Sequence, residues 1–459
     1  MNSPPVHDGR LFWAPQAWLQ GAWAEDVLLR AGPDGRWAEI HPGTACPPWS
    51  ERLPGPVLPA LVNAHSHAFQ RAFVGLAERR ESDPDDFWSW RDRMYGVALR
   101  ITPEQLRVVA EHLYAELLAG GYTHTCEFHY LHHAPDGRPY ADALAMSRAL
   151  AEAAVATGMR LTLLPVLYER AGFAQPVLRE DQRRFATTVD GVLKLRDGVR
   201  AWRLPQVDAG VAVHSLRAAR PSSLHELVRM LGGDAAPIHI HVAEQTAEVD
   251  DCLAATGTRP IGWLCREGLL DARWQLVHAT HTTPDEITAV AGSGAGVVLC
   301  PGTEANLGDG LADLPGWLAA GVPLSLGSDS QVTRAWPEEL RWLEYGQRLR
   351  RRQRNVAAAP GRQPATAARL FDAVLQGGAT AAARPPHGLA VGASADLLLL
   401  NAHDDALRGL PPSHLLDGVV FAAPQRPFVR TLVGGRWVPP RGAAAGAEFE
   451  RVLHSLGSG

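Results

Sequence analysis

The stretch LPALVNAHSH, residues 58–67, decides how this chain is read. An apolar run ends in two histidines spaced one residue apart. Residues i and i+2 of a strand point to the same side, so His65 and His67 share one face at the strand's C-terminal end. Seven further runs have the same build, an apolar or β-branched body with a polar tip. They are Tyr122–Leu131, Arg160–Glu169, Gly210–Ala218, Pro237–Gln245, Trp274–Thr282, Gly296–Asn306 and Val322–Gln331. Helical patterns separate most of them. Thr102-Pro103-Glu104-Gln105 and Thr283-Pro284-Asp285-Glu286 are capping boxes with proline at the first helical position. Leu106, Val109, Ala110, Leu113 and Leu117 follow the first box at helical spacing. Strands alternating with helices imply a parallel sheet, and eight such units over about 270 residues predict an α/β fold, a (β/α)8 TIM-type barrel.

Outside the barrel, placed at residues 58–385, lie residues 1–57 and 386–459. Both ends are rich in proline, glycine and short apolar runs such as Ala395–Leu400 and Thr431–Val438. Neither end can bury a sheet alone, so the expectation is a small composite β-sandwich domain built from both.

The whole-chain figures narrow the function classes. At 459 residues, 46% hydrophobic and 20% charged, the chain is globular rather than disordered. Cys46, Cys126, Cys252, Cys265 and Cys300 are odd in number and lack CxxC spacing. That argues against a disulfide framework or a thiolate zinc site and for a reducing, cytoplasmic setting. The opening segment lacks a basic region followed by an apolar run, so no signal peptide is expected. No apolar stretch is long enough for a membrane span. A net charge of -5 is near neutral for this length and argues against a nucleic-acid partner. The basic run Arg348–Arg354 is expected to be a solvated helix face.

Polar residues crowd the strand ends: His65 and His67, Glu127 and His129, His214, His241 and Glu244, His278, and Asp329. In a barrel these ends form one rim, where active sites sit. His65, His67, His241, His278 and Asp329 together make a metal constellation. His239 shares a face with His241 but lies deeper and is expected to be packed. Further along the rim, Arg217 ends the fourth strand and Tyr130 the second. Arg91 lies in the long loop after the first strand, and Gln70 follows the histidine pair. Two arginines there can each grip a carboxylate in a bidentate fork.

The pattern of HxH on strand one, histidine on strands five and six and aspartate on strand eight resembles the amidohydrolase superfamily. Some members hold two ions bridged by a carboxylated lysine on strand four. The single lysine, Lys194, lies in a helical stretch before that strand. The resemblance therefore implies one ion per subunit, held by His65, His67, His241 and Asp329 with His278 beside them. Imidazole and carboxylate ligands suit Zn2+, and Fe2+ is compatible. The resemblance also implies that Asp329 takes a proton from water, that His278 orients the hydroxide, and that Glu244 passes a proton to a leaving nitrogen.

The segments VNAHSHAFQRAFVG, FWSWRDRMY, THTCEFHY, AVHSLRA, IHIHVAEQ and PGTEANLGDG are similar to those of formimidoylglutamate deiminases. That closer resemblance implies hydrolysis of N-formimino-L-glutamate, a small dicarboxylate, to N-formyl-L-glutamate and ammonia in histidine degradation. Its carboxylates would be held by Arg91, Tyr130, His214 and Arg217, with Gln70 near the formimino group. A homodimer is the family default. The aromatic-rich loop between Ala68 and Arg100 is expected to be either a lid or a dimer contact. Two rival expectations stand beside this one: a mononuclear deaminase of nucleobases or guanidino compounds, and a non-catalytic scaffold.

Overall fold

A computed structural model of the protein describes residues 9–80, 87–384, 386, 388–401, 403–423, 427–439 and 442–457. Residues 1–8 of the opening segment and 81–86 of the 68–100 loop lie outside the described residues. Eight parallel strands form the barrel: Leu61–Ser66, Tyr122–His129, Arg160–Leu167, Val211–Val213, Ile238–Val242, Trp274–His278, Gly296–Leu299 and Leu324–Leu326. Each pairs with the next in sequence, and the eighth closes on the first where Leu326 faces Asn63. A short strand, Val207–Ala209, runs beside the third just before the fourth begins. Both predicted capping boxes are present, with Thr102 and Thr283 accepting the N–H of Gln105 and Glu286. The helices they open, Pro103–Ala119 and Pro284–Ser293, bury their apolar stripes against the barrel.

The strands are shorter than the apolar runs suggested. The run Gly296–Asn306 is strand only to Leu299, and Pro301–Leu307 is helix. Proline at the first helical turn was the readable sign of that switch. Elsewhere the polar tips leave the ladder because their backbone turns left-handed. Ala243, His278, Ala279 and Asp329 have φ of 53°, 69°, 47° and 47°. Such values are uncommon outside glycine and cluster where function strains the chain.

The two chain ends share one hydrogen-bonded sheet. Strands Arg10–Leu19 and Ala22–Ala31 form a hairpin turning at Gln20 and Gly21, both with positive φ. Leu397–Leu400 from the tail enters this sheet beside Val57–Leu58, followed by Phe428–Val433. Its four leucines alternate: Leu397 and Leu399 join the sheet's own apolar cluster, whereas Leu398 and Leu400 join the barrel's. That alternation is the period of a strand buried on both faces. The tail also sends helix Ala443–Gly457 against Pro103–Ala119, where Phe449 stacks on His112 at 3.7 Å between ring centroids. Within the basic run, Arg348 lies over Tyr345 and Phe421 and pairs with Glu344. Among the described residues no helix is long and apolar enough to cross a membrane.

The last barrel helix, Thr366–Ala381, lies so close to the sheet that a Cβ at Gly377 would overlap the carbonyl of Leu324. Gly292 sits in an open helix position with nothing within 4 Å of such an atom. Helix propensity favours alanine over glycine by about 1 kcal/mol, and overpacking costs about 1–3 kcal/mol. Gly292→Ala should therefore stabilise the protein and Gly377→Ala destabilise it by about 1–2 kcal/mol in urea unfolding. A stabilising Gly377→Ala would contradict the close packing.

Candidate active site

Three strand ends bring four donor atoms together. His65 Nε2 lies 3.1 Å from His67 Nε2 and 3.0 Å from His241 Nε2. Asp329 Oδ1 lies 3.4 Å from His65 Nε2 and 3.3 Å from His67 Nε2. All four side chains are buried. His67 Nδ1 faces the carbonyl of Phe128 at 2.9 Å. A carbonyl can only accept, so Nδ1 carries the proton and Nε2 presents a lone pair. Burial pushes His65 down to about 3, with its Asp329 hydrogen bond opposing, and lowers His67 and His241. These imidazoles are neutral. For Asp329 burial acts upward, but the His65 hydrogen bond and the charge of His278 outweigh it and hold the carboxyl low.

Neutral imidazoles and a carboxylate gathered this closely could hold a divalent ion. Ligands about 2.0–2.1 Å from a tetrahedral zinc lie about 3.3–3.4 Å from one another. The separations of 3.0–3.4 Å among His65, His67 and Asp329 and between His65 and His241 fit that frame, and His65 is shared by two donor groups, one with His67 and Asp329 and one with His241 and His278. The backbone fixes it further. Asp329 N–H bonds the carbonyl of His65 at 3.0 Å, and His67 N–H bonds that of Asp329 at 3.3 Å. Below, Asn63 bonds Ser328, and Gln331 bonds both Ser66 and the Asp329 carbonyl.

Beside the donors, His278 Nε2 lies 3.7 Å from Asp329 Oδ2 and 3.6 Å from Glu244 Oε1, while its Nδ1 faces Glu304 Oε1 at 3.3 Å. Burial opposes the charge on His278, but Glu244, Glu304 and Asp329 raise its pKa to about 10. Burial lifts Glu244 to about 7, with Asp329 and Glu248 adding and His278 and Arg217 opposing.

A cavity of about 720 Å³, open mouth included, stands over these groups. His67, Gln70, Arg91, Tyr130, His214, Arg217, His241, Glu244, His278 and Asp329 all line it; His65 lies beneath. Arg217 and Arg91 both lower the pKa of His214, after burial, and both act on Tyr168. One wall is thus cationic and aromatic. Glu244 and Asp329 bring carboxylates to the same cavity, Glu244 within the influence of Arg217. Gln70 bonds the hydroxyl of Tyr130 at 3.3 Å. The 68–100 loop contributes a helix, Phe87–Ala98, whose Trp90, Arg91, Met94 and Tyr95 face the cavity.

Several rim residues lie elsewhere. Glu127 bonds the N–H of Ala68, and His129 is buried against His132; neither lines the cavity. His239 bonds the carbonyl of Ala381 at 3.0 Å and is packed. Lys194 pairs with Asp190 on the solvent face of helix Val189–Ala201. Other residues escaped sequence reasoning. Tyr168 sits just past the third strand, and Glu248 one helical turn beyond Glu244. Glu304 was hidden by the overlong seventh run.

The sequence pattern of the Amidohydrolase family matches residues 57–438. The formimidoylglutamate deiminase of Pseudomonas aeruginosa is 47% identical over 450 residues, covering 97% of this chain and 99% of that protein. The 8-oxoguanine deaminase of the same organism is 27% identical, covering 92% and 91%. The crystal structure of an amidohydrolase from Brucella melitensis superposes with a TM-score of 0.92 at 42% identity, covering 97% and 99% of the two chains. The chain belongs to the amidohydrolase family.

Proposed function

We propose that this protein is a formimidoylglutamate deiminase, hydrolysing N-formimino-L-glutamate to N-formyl-L-glutamate and ammonia. One observation carries the reading: a cavity lined by two arginines and by carboxylates stands over the donor groups His65–His67–Asp329 and His65–His241–His278. The substrate has the same polarity. Two carboxylates sit at one end, and at the other an amidine that is protonated at neutral pH. Nucleobases offer no such pair of anions. The similarity to the Pseudomonas enzyme supports the same assignment.

In this reading Arg91 and Arg217, with Tyr130 and His214, bind the carboxylates, and Gln70 approaches the formimino group. Glu244 accepts the amidinium, which makes its carbon a better electrophile. Zinc is the ion proposed for His65, His67, His241 and Asp329, one per subunit; bound there it lowers the pKa of a water toward about 7 and supplies the nucleophile. Asp329 takes the proton released as the carbon–oxygen bond forms. His278, kept protonated by its carboxylate neighbours, stabilises the negative charge developing on that oxygen. Glu244, with a pKa near neutrality, then takes the proton of the tetrahedral intermediate's hydroxyl and delivers it to the departing nitrogen as the carbonyl forms. The carbon–nitrogen bond breaks, ammonia leaves and the formyl group remains. The helix Phe87–Ala98 acts as a lid wall that excludes water. Five free cysteines support a reducing, cytoplasmic setting, and the proposal extends to a homodimer serving histidine degradation.

An ammonia-release assay on N-formimino-L-glutamate, run beside guanine, 8-oxoguanine and cytosine, tests the reading. Turnover of the amidine alone is expected; turnover of a nucleobase without the amidine contradicts it. Losing a charge-assisted fork costs about 1.5–3 kcal/mol, so Arg217→Met should raise KM for N-formimino-L-glutamate by about 10–100-fold. An unchanged KM would remove Arg217 from the carboxylate site.

A further inference from the structure

The fifth barrel strand stops at Val242, and helix Thr246–Thr256 begins four residues later. Between them the chain must present Glu244 to the cavity. It does so through Ala243, whose φ of 53° lies where residues with a Cβ are disfavoured. Something must hold that turn. On the carbonyl side the end of the sixth strand does: Ala279 N–H bonds Val242 O at 3.1 Å, and His281 N–H bonds Ala243 O at 3.0 Å. On the amide side the partner is Glu248, in the first turn of the following helix.

Glu248 Oε2 accepts the N–H of Glu244 at 3.0 Å, and the N–H of Ala243 acts on the same carboxylate. Successive amides turned to one side by a left-handed residue make a concave anion cradle. Here the anion is a side chain of the protein itself. Glu248 is 6% exposed, and its Oε1 has no hydrogen-bond partner among the described residues. A single oxygen of this buried carboxylate therefore ties the turn. The reach of Glu244 to His278, 3.6 Å between Oε1 and Nε2, depends on that turn.

We infer that Glu248 is a positioning residue of the reaction, whose carboxylate holds the Ala243–Glu244 amides and so aims Glu244 at the leaving nitrogen. The inference rests on the proton-transfer role proposed for Glu244. Arg217 also feels the charge of Glu248, so the competing role is electrostatic, exerted on carboxylate binding through Arg217.

Two mild substitutions in the metal-loaded enzyme separate these roles. Glu248→Gln keeps an acceptor oxygen in place and loses the charge. Glu248→Asp keeps the charge and withdraws it by one methylene. The positioning role predicts kcat within about threefold of the unmodified enzyme for Glu248→Gln and at least about tenfold lower for Glu248→Asp, with KM for N-formimino-L-glutamate within about threefold in both. A crystal structure of Glu248→Asp should show Glu244 withdrawn from His278. The reverse order, equal losses in the two variants, no loss in either, or a loss confined to KM would overturn the inference. If the unmodified enzyme fails to turn over N-formimino-L-glutamate, the proposed function falls instead. The position of Glu244 in the Glu248→Asp crystal then decides alone, an unmoved Glu244 overturning the inference.

Discussion

The buried cluster around His65, whose Nε2 lies 3.0–3.4 Å from donor atoms of His67, His241 and Asp329, is the constraint on which this barrel mouth depends. Lone pairs that close repel unless a proton or a cation lies between them. His67 has committed its proton to the carbonyl of Phe128, and burial keeps the histidines neutral. A divalent ion would resolve the repulsion, and the fold supplies the stiffness that holds the donors in place. The closure of strand eight on strand one, the exchange of backbone bonds between His65, His67 and Asp329, and the Asn63–Ser328–Gln331 network all brace the same point. The left-handed backbone at His278 and Asp329 marks where that bracing works against local preference.

Selectivity is a separate layer above the donors. Arg91 and Arg217 come from different loops and meet across His214 and Tyr168. Glu244 and Asp329 line the same cavity. A ligand with an anionic end and a cationic end meets complementary charge at both, with burial strengthening each contact. Charges buried there are screened less by salt than exposed ones.

Much of this was legible in the sequence because the strand period and the rim rule are strict. His65 and His67 share a face through the two-residue repeat, and His241, His278 and Asp329 sit at the tips of apolar runs. Capping boxes at Thr102 and Thr283 announced their helices through local chemistry alone. What escaped depended on tertiary context. The tips leave the strands by left-handed turns, which composition does not reveal at Ala243 or His278. Glu304 faces His278 only because the seventh strand ends early and Pro301 starts a helix. Glu248 stands four residues beyond Glu244, a spacing that reads as an ordinary helix turn until its carboxylate is seen folding back on the preceding amides.

The most direct test of the account is anomalous diffraction at the zinc edge from crystals of the purified protein. One peak is expected, about 2.0–2.2 Å from Nε2 of His65, His67 and His241 and from a carboxylate oxygen of Asp329. A peak held instead by His278, Cys300 and Glu304, or none in crystals of active enzyme, would contradict it.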